Sequence, residues 1–523
     1  MTLAALIAAC ATLLQEADAS ALFAAGKDAE ALAACDARLA AGAGDAATIE
    51  LRARCLQALG RFGEAAAALR ALPSRSMAAD LALAACSAAG DDAGAAEADA
   101  ILARWGTADP DGFELRLARA RVHLARRRVA PALADARFVL SRDPRRFEAQ
   151  LLLARATEAG GRPDEAQRLA ARLLDPAGAF RGADVHLRRE AAAASASALI
   201  RMQRYDDAIS LLRDLVAECP AVVPWRAQLA TVLGLRNRYA ESMENWEKAV
   251  EAAPEDGEMR WRLADVYRSQ GRTDDAIAQF RVMLELGHSP AVAELRLAEL
   301  HLERGDDGDF ERARDHAERA LALSPESGDV LAARGRVQEK LGEVAAAKES
   351  YRAAFARNPL RFDALYRLAL LLARSSGEEE RAEAEALFER YRRVEPLLVE
   401  LKLTKQEADA NPGQPALLTR MAGMLNLAGE YEHARVWAER ADRLDPNSLQ
   451  NAVQSGYILA NLDDLPGAKR SFEKALALLA RAPSSEAAIA TLREYVRKID
   501  RGEPLPRPLG RMLRPGEVEE GAK

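Results

Sequence analysis

Four arginines stand at one place in a recurring tripeptide: Arg262-Leu263-Ala264, Arg296-Leu297-Ala298, Arg367-Leu368-Ala369 and Arg420-Met421-Ala422. Trp261 and Tyr366 directly precede two of them. A guanidinium presents its donors in a planar fork that matches a carboxylate with two parallel hydrogen bonds. A row of such groups beside aromatic rings suits an acidic peptide or a chain's C-terminus. A plainer reading stands beside this one: the arginines pair with Asp265, Glu299 or Asp363 inside the protein, or are merely solvated.

No other residues in the chain combine into reactive chemistry. There is no P-loop, GxSxG or HExxH motif. The histidines (His123, His186, His288, His301, His316 and His433) are scattered, with no spacing that would bring them together with thiols or carboxylates around a metal. Asp306-Asp307-Gly308-Asp309 resembles a calcium loop but lacks the spacing to a terminal glutamate, so it reads as a lengthened turn. Acidic pairs such as Asp206-Asp207 and Asp274-Asp275 fall at helix starts, where they favour the positive end of the dipole. The five cysteines (Cys10, Cys35, Cys55, Cys86 and Cys219) include no CxxC and read as buried free thiols. No catalytic residue, metal or cofactor is expected, and the chain reads as a non-enzyme.

The elements that position the arginine row follow from a second regularity. Ala or Gly, seven residues, Gly, five residues, Ala recurs as Ala19–Gly26–Ala31, Ala53–Gly60–Ala65, Ala154–Gly161–Ala166, Ala264–Gly271–Ala276, Gly335–Gly342–Ala347 and Ala422–Gly429–Ala434. The steps Pro220 to Pro254, Pro325 to Pro359 and Pro412 to Pro446 share a period near thirty-four residues, the mark of a helical repeat array. In one unit Trp261, Leu263, Ala264, Val266 and Tyr267 keep helical spacing, and Gly271 lets the chain leave the helix. Thr273-Asp274-Asp275 offers capping oxygens, and a second helix carries Ala276, Ile277, Phe280, Met283 and Leu284. Ala264 and Ala276 let the pair approach, while Tyr267 and Phe280 fill the groove. The turn glycine is replaced at Arg127, Gln203, Asn237 and Asp463. Counting turns at 26, 60, 90, 127, 161, 203, 237, 271, 305, 342, 376, 429 and 463 gives thirteen helix pairs.

Composition agrees. The chain is 49% hydrophobic but only 5% aromatic, so its apolar share is mostly Ala and Leu, both strong helix formers. A net charge of −7 argues against bulk nucleic-acid binding. No run of eighteen apolar residues is present, so no transmembrane helix is expected.

These positions together resemble the tetratricopeptide repeat (TPR) family. Leu229, Ala230, Tyr239, Trp246, Ala249 and Pro254 carry the likeness in one unit; Leu331, Gly335, Gly342, Ala347, Tyr351, Ala354 and Pro359 carry it in another. The likeness runs from about Ala11 to Ala482. It implies an all-α solenoid of antiparallel helix pairs in a right-handed superhelix. First helices would line a concave face that binds an extended peptide or a partner's helix, and the arginine row would lie near that face. The expected function is a non-catalytic scaffold for a protein or peptide bearing acidic or C-terminal carboxylate groups. The alternative is an exported or lipid-anchored accessory of a cell-envelope or polymer-secretion assembly.

The expected organisation is 1–111 degenerate Ala-rich repeats, 112–396 main array, 397–412 linker helix, 413–482 C-terminal repeats, 483–501 capping helix and 502–523 disordered Pro-rich tail. Pro396 to Pro412 holds only half a unit, so a joint between two sub-arrays is expected there; a continuous array with a lengthened linker is the alternative. Ile489, Leu492, Val496 and Ile499 form the apolar face of the capping helix. The N-terminus is open to two readings. Leu3 to Leu14 is apolar, Ala19-Ser20-Ala21 resembles a signal-peptidase site and Ile7-Ala8-Ala9-Cys10 a lipobox, which together would make Met1 to Ala21 an export signal. No Lys or Arg precedes the apolar run, and Ala19, Leu22 and Gly26 are in phase with later units, which favours a first helix and a cytoplasmic protein.

Overall fold

The computed structural model describes residues 19–88, 90, 92–109, 111–175, 178, 184–410, 413–480 and 486–505. The expectations on Leu3 to Leu14, on Cys10 and on most of the Pro-rich tail lie outside those residues. Among the described residues every regular element is an α-helix, apart from one 3-10 turn at Glu395–Leu397. Among the described residues the helices form thirteen antiparallel hairpins, eight in one unit of the chain and five in the other, and no described helix is long and apolar enough to cross a membrane. The chain divides into two compact units, Met1–Ser289 and Pro290–Lys523.

The first unit holds hairpins 19–40, 46–70, 77–108, 113–142, 147–174, 185–218, 223–252 and 257–285. The last of these shows how the sequence builds one. Asp256 caps the helix Gly257–Ser269 by accepting from the Met259 amide at 3.1 Å. Ala264 and Ala276 are fully buried between the helices, with Tyr267 and Phe280 packed beside them. Gly271 takes φ 71°, and two amides fold back: Arg272 N–H to the Tyr267 carbonyl at 2.9 Å and Gly271 N–H to Arg268 at 3.0 Å. This is a Schellman closure, which demands a left-handed residue. Arg127 (55°), Gln203 (60°), Asn237 (58°) and Asp463 (64°) adopt that conformation where glycine is missing. The closure is so constrained by the two packed helices that an L side chain accepts its cost of about 1–2 kcal/mol.

The second helix is started differently from the sequence reading. Thr273, Asp274 and Asp275 lie inside the helix Thr273–Glu285, and its N-cap, Arg272, makes no side-chain cap bond. Arg272 instead donates to Asp275 three residues on, at 2.7 Å. The same i,i+3 ion pair recurs in this unit as Arg61–Glu64, Arg162–Glu165, Arg204–Asp207 and Arg238–Glu241.

The first unit also joins repeats far apart in sequence. Arg189, 7% exposed, donates to the Gly26 carbonyl (2.9 Å), Asp28 (3.2 Å) and Glu218 (2.9 Å). His186 stacks on Phe23 with centroids 4.2 Å apart, its Nε2 2.9 Å from the Phe23 carbonyl. Burial pushes the Asp28 carboxyl above the usual range, against the pull of His186 and Arg189. Cys35, Cys55, Cys86 and Cys219 are buried free thiols.

The second unit holds hairpins 290–323, 328–357, 362–394, 415–444 and 449–479, with single helices Leu398–Ala410 and Glu486–Asp500. The boundary between the two units lies at Ser289/Pro290, where Gly287 and Ser289 both have positive φ. The half-unit does not interrupt packing: Phe362, Val394, Leu401, Met421 and Leu425, from both sides of it, share one core. Arg390 reaches past it to grip Glu430 with two hydrogen bonds, 2.5 and 2.6 Å long. Burial pushes the Glu430 carboxyl up, but Arg390 and His433 more than offset this and bring it to about 2. Leu492 is buried against Phe472 in the terminal core, with Ile489, Tyr495, Val496 and Ile499 around it. Leu505, placed by sequence in the tail, is buried there too.

Candidate functional site

The arginine row falls in both units. In the first unit, Arg262 points away from the buried stripe of its helix. Its Nε donates to Glu258 at 2.9 Å, one helical turn back, and its Cζ lies 4.9 Å from the Trp261 ring centroid. Glu258, four positions back, takes the place of the expected partner Asp265, three positions on, although both lie within reach on the same helix face. The Trp261 indole N–H is buried and has no acceptor among the described residues.

In the second unit each arginine of the row is matched by a glutamate. Arg296 donates to Glu299 at 2.7 Å, as the plainer reading expected. Arg336, on the next first helix, donates to the same carboxylate at 2.6 Å. Burial pushes Glu299 up, but Arg336 and Arg296 together hold it below the usual carboxylate range. Arg367 donates to Glu339 at 3.1 Å, which also accepts from the Tyr351 hydroxyl at 2.7 Å. Its expected partner Asp363 is taken by Arg361. Arg420 donates to Glu400 of the half-unit helix at 2.7 Å. Tyr366 packs on Phe388 and Tyr391, with centroids 5.8 and 4.7 Å away. Arg367 and Arg420 therefore tie their helices to a neighbouring one, Arg262 and Arg296 pair within their own, and Glu299 is shared by two guanidinium groups.

Asp309, in the loop that resembles a calcium site, is fully buried. It accepts from Arg304 (2.7 Å, both oxygens), Arg312 (2.9 Å) and the Asp306 amide (3.1 Å), with His301 Nδ1 at 2.9 Å. Arg304 leads the interactions that hold its carboxyl far below the ordinary range. With guanidinium groups occupying its oxygens, this residue locks a turn. Two histidines that looked scattered in sequence, His301 and His316, stack with centroids 5.4 Å apart. Among the described residues no group of His, Cys, Asp and Glu is arranged to hold a metal.

One constellation was missed. Residues 116–146 hold ten arginines against two aspartates, Asp135 and Asp143; a running charge count would have found it. In the hairpin 113–142, Arg116, Arg119 and His123 form a stripe on the first helix, and Arg128, Asp135, Phe138 and Arg142 lie on the second. Asp135, side chain 3% exposed, faces Arg116 at 2.8 Å, Arg119 at 3.4 Å and His123 at 3.8 Å. Arg116 also reaches the exposed Asp111 at 3.1 Å. The Phe138 ring is flanked by Arg116 and Arg142, with Cζ atoms 4.2 and 3.8 Å from its centroid. Burial lowers the His123 pKa; Asp135 and Asp99 oppose this, and Arg119 and Arg128 add to it.

Comparison with known proteins places these hairpins. The family model described as "Tetratricopeptide repeat" matches residues 117–184, 227–289, 295–347 and 332–396. No curated protein matches the chain. Among solved structures, the human IFIT1 dimer with m7Gppp-AAAA is 17% identical, the match covering 72% of this chain and 88% of that one at a TM-score of 0.39. MamA is 23% identical over 31% of this chain and 92% of its own, at 0.28. PilF of Pseudomonas aeruginosa is 18% identical over 45% and 98%, at 0.35.

Proposed function

The chain belongs to the tetratricopeptide repeat family, and on that premise we propose that it is a non-catalytic scaffold that binds a peptide segment or helix of a partner protein on the face lined by its first helices. The observation that carries this reading is that helical hairpins occupy the described chain almost from end to end, from residue 19 to 479. Such an array offers long helix faces, which suit an extended chain better than a small substrate enclosed in a pocket.

The residues proposed to meet the partner are Trp261 and Arg262 in the first unit, and Arg296, Tyr366, Arg367 and Arg420 in the second. A partner's carboxylates or C-terminus would exchange with Glu258, Glu299, Glu339 and Glu400 for these guanidinium groups. Affinity capture with mass spectrometry, comparing wild type with Arg262, Arg296 and Arg367 replaced by Glu, tests this. Partners should be lost while circular dichroism shows the helicity retained; unchanged capture overturns it.

A further inference from the structure

We infer that the stripe Arg116, Arg119, His123, Arg128 and Arg142 on hairpin 113–142 is a separate anchoring site for an acidic segment of a partner protein, read as a run of carboxylates on alternate residues of an extended chain. This rests on the reading of the chain as a protein-binding scaffold and names the chemistry of one contact.

The first argument is charge balance. Four arginines along the stripe are served by one buried carboxylate, Asp135, and one exposed carboxylate, Asp111. Asp135 accepts from Arg116 at 2.8 Å but is only loosely approached by Arg119 and His123, at 3.4 and 3.8 Å. The exposed Arg142 guanidinium meets only the face of Phe138 among the interactions resolved, and Arg128 makes no ion pair with a described residue.

The second argument is a departure from the repeat itself. Five hairpins of this unit place an arginine at the start of the second helix and a carboxylate three residues on, as in Arg61–Glu64 and Arg272–Asp275. Arg128 occupies that arginine's place, but Pro131 stands where the acid should be. The position keeps its cation and has lost its internal anion.

Geometry sets the ligand. Arg116, Arg119 and His123 are spaced three and four residues apart on one helix, a span of about 10 Å at 1.5 Å per residue. Arg128 and Arg142 lie at the two ends of the second helix, about 21 Å apart at 1.5 Å per residue; alternate side chains of an extended segment are about 7 Å apart, so a run of alternating acids, rather than a single pair, reaches both ends. A long nucleic acid would have to continue over the rest of a chain that is negative overall, whereas a short acidic segment need not. Arg116 stays engaged with Asp135 and positions the Phe138 ring; Arg119, held only at 3.4 Å from Asp135, and Arg128 and Arg142, which meet no carboxylate among the described residues, are the contacts able to turn toward a ligand.

The test uses the full chain and a fluorescein-labelled Glu-Ser-Glu-Ser-Glu peptide, read by anisotropy at low salt. Arg119, Arg128 and Arg142 together replaced by Ser should weaken binding at least about tenfold, since each lost charge-assisted contact contributes roughly 1 kcal/mol or more. Circular dichroism checks that the variant folds. A second measurement needs no variant: saturation with peptide should move the His123 imidazole titration upward in an NMR pH series, because a bound anion favours the imidazolium. The inference is overturned by undiminished binding in a folded triple variant, by a His123 titration that does not move, or by an oligothymidylate of equal charge displacing the peptide at lower concentration. The scaffold reading fails on its own terms, when the first-helix variants leave partner capture unchanged, so the two failures are distinguishable.

Discussion

Arginines in the second unit and arginines in hairpin 113–142 sit on helices of similar length, yet the row in the second unit is paired throughout, whereas in the hairpin Arg116 and Arg119 share Asp135 and Arg128 and Arg142 meet no carboxylate among the described residues. Arg296 and Arg336 converge on Glu299, and Arg367 meets a Glu339 already oriented by Tyr351. In hairpin 113–142 the equivalent interior acid among the described residues is Asp135, and the cations at both ends of the stripe, Arg128 and Arg142, meet no described carboxylate. The difference teaches that arginine at a recurring place does not by itself keep an unpaired charge: a ligand at Arg296, Arg367 or Arg420 must displace a glutamate, and one at Arg128 or Arg142 need not. What matters is whether a neighbouring helix returns a carboxylate, and that depends on register between hairpins.

The comparison can be broken first at Glu299. Glu299→Gln would leave Arg296 and Arg336 without their shared acid, at a cost of about 3 kcal/mol or more, measurable by urea denaturation. The pH dependence carries the same sign. Glu299 has a folded pKa below its unfolded value, so its contribution is present above about pH 4.5 and is lost as the pH falls through the folded value. The variant should show a shallower acid limb; an unchanged limb would mean the pairs are idle.

Next in size is Gly335→Ala. A Cβ there would stand 2.7 Å from the ring of Tyr351, which is fully buried. Overpacking of this kind costs about 1–3 kcal/mol, and tilting the ring would also loosen Glu339 from Arg367. A melting temperature equal to wild type would show that the ring has room to yield.

A backbone change supplies a scale between the two regions. Gln203→Gly relieves a left-handed residue at φ 60° and should stabilise by about 0.5–1 kcal/mol, with no effect on peptide binding. The smallest effect is the most pointed. Pro131→Glu would give Arg128 the acid that five other hairpins have. It should add about 0.3–0.5 kcal/mol of stability while weakening the acidic peptide, and a variant that binds the peptide more tightly would contradict the charge-balance argument.

Much of the fold was legible because it is local. Left-handed turns were readable at Gly26, Gly60, Gly161, Gly271, Gly342 and Gly429, and even where Arg127, Gln203, Asn237 and Asp463 replace glycine, since the thirty-four-residue phase survives the substitution. Ala264 and Ala276 were readable as the close approach because no larger side chain fits there. The candidate site was less legible. Asp265 and Asp363 are near Arg262 and Arg367 in sequence, but side-chain direction and the neighbouring hairpin decide the partner, and Glu258 and Glu339 are chosen instead. The stripe on hairpin 113–142 was visible as a run of arginines, yet only the structure shows how few acids face it.

By itself, then, the sequence determined the helical hairpins, their turns and their family, because helix periodicity, small-residue spacing and left-handed closures are written within one repeat. The tertiary structure alone decided where distant segments meet. Arg189 joins Asp28 and Gly26 across some one hundred and sixty residues, and Arg390 spans the half-unit to Glu430. It also decided which arginines keep an unspent charge. These are consequences of how repeats stack, and a contact between stacked repeats is set by the superposition of many small rotations that no single repeat encodes.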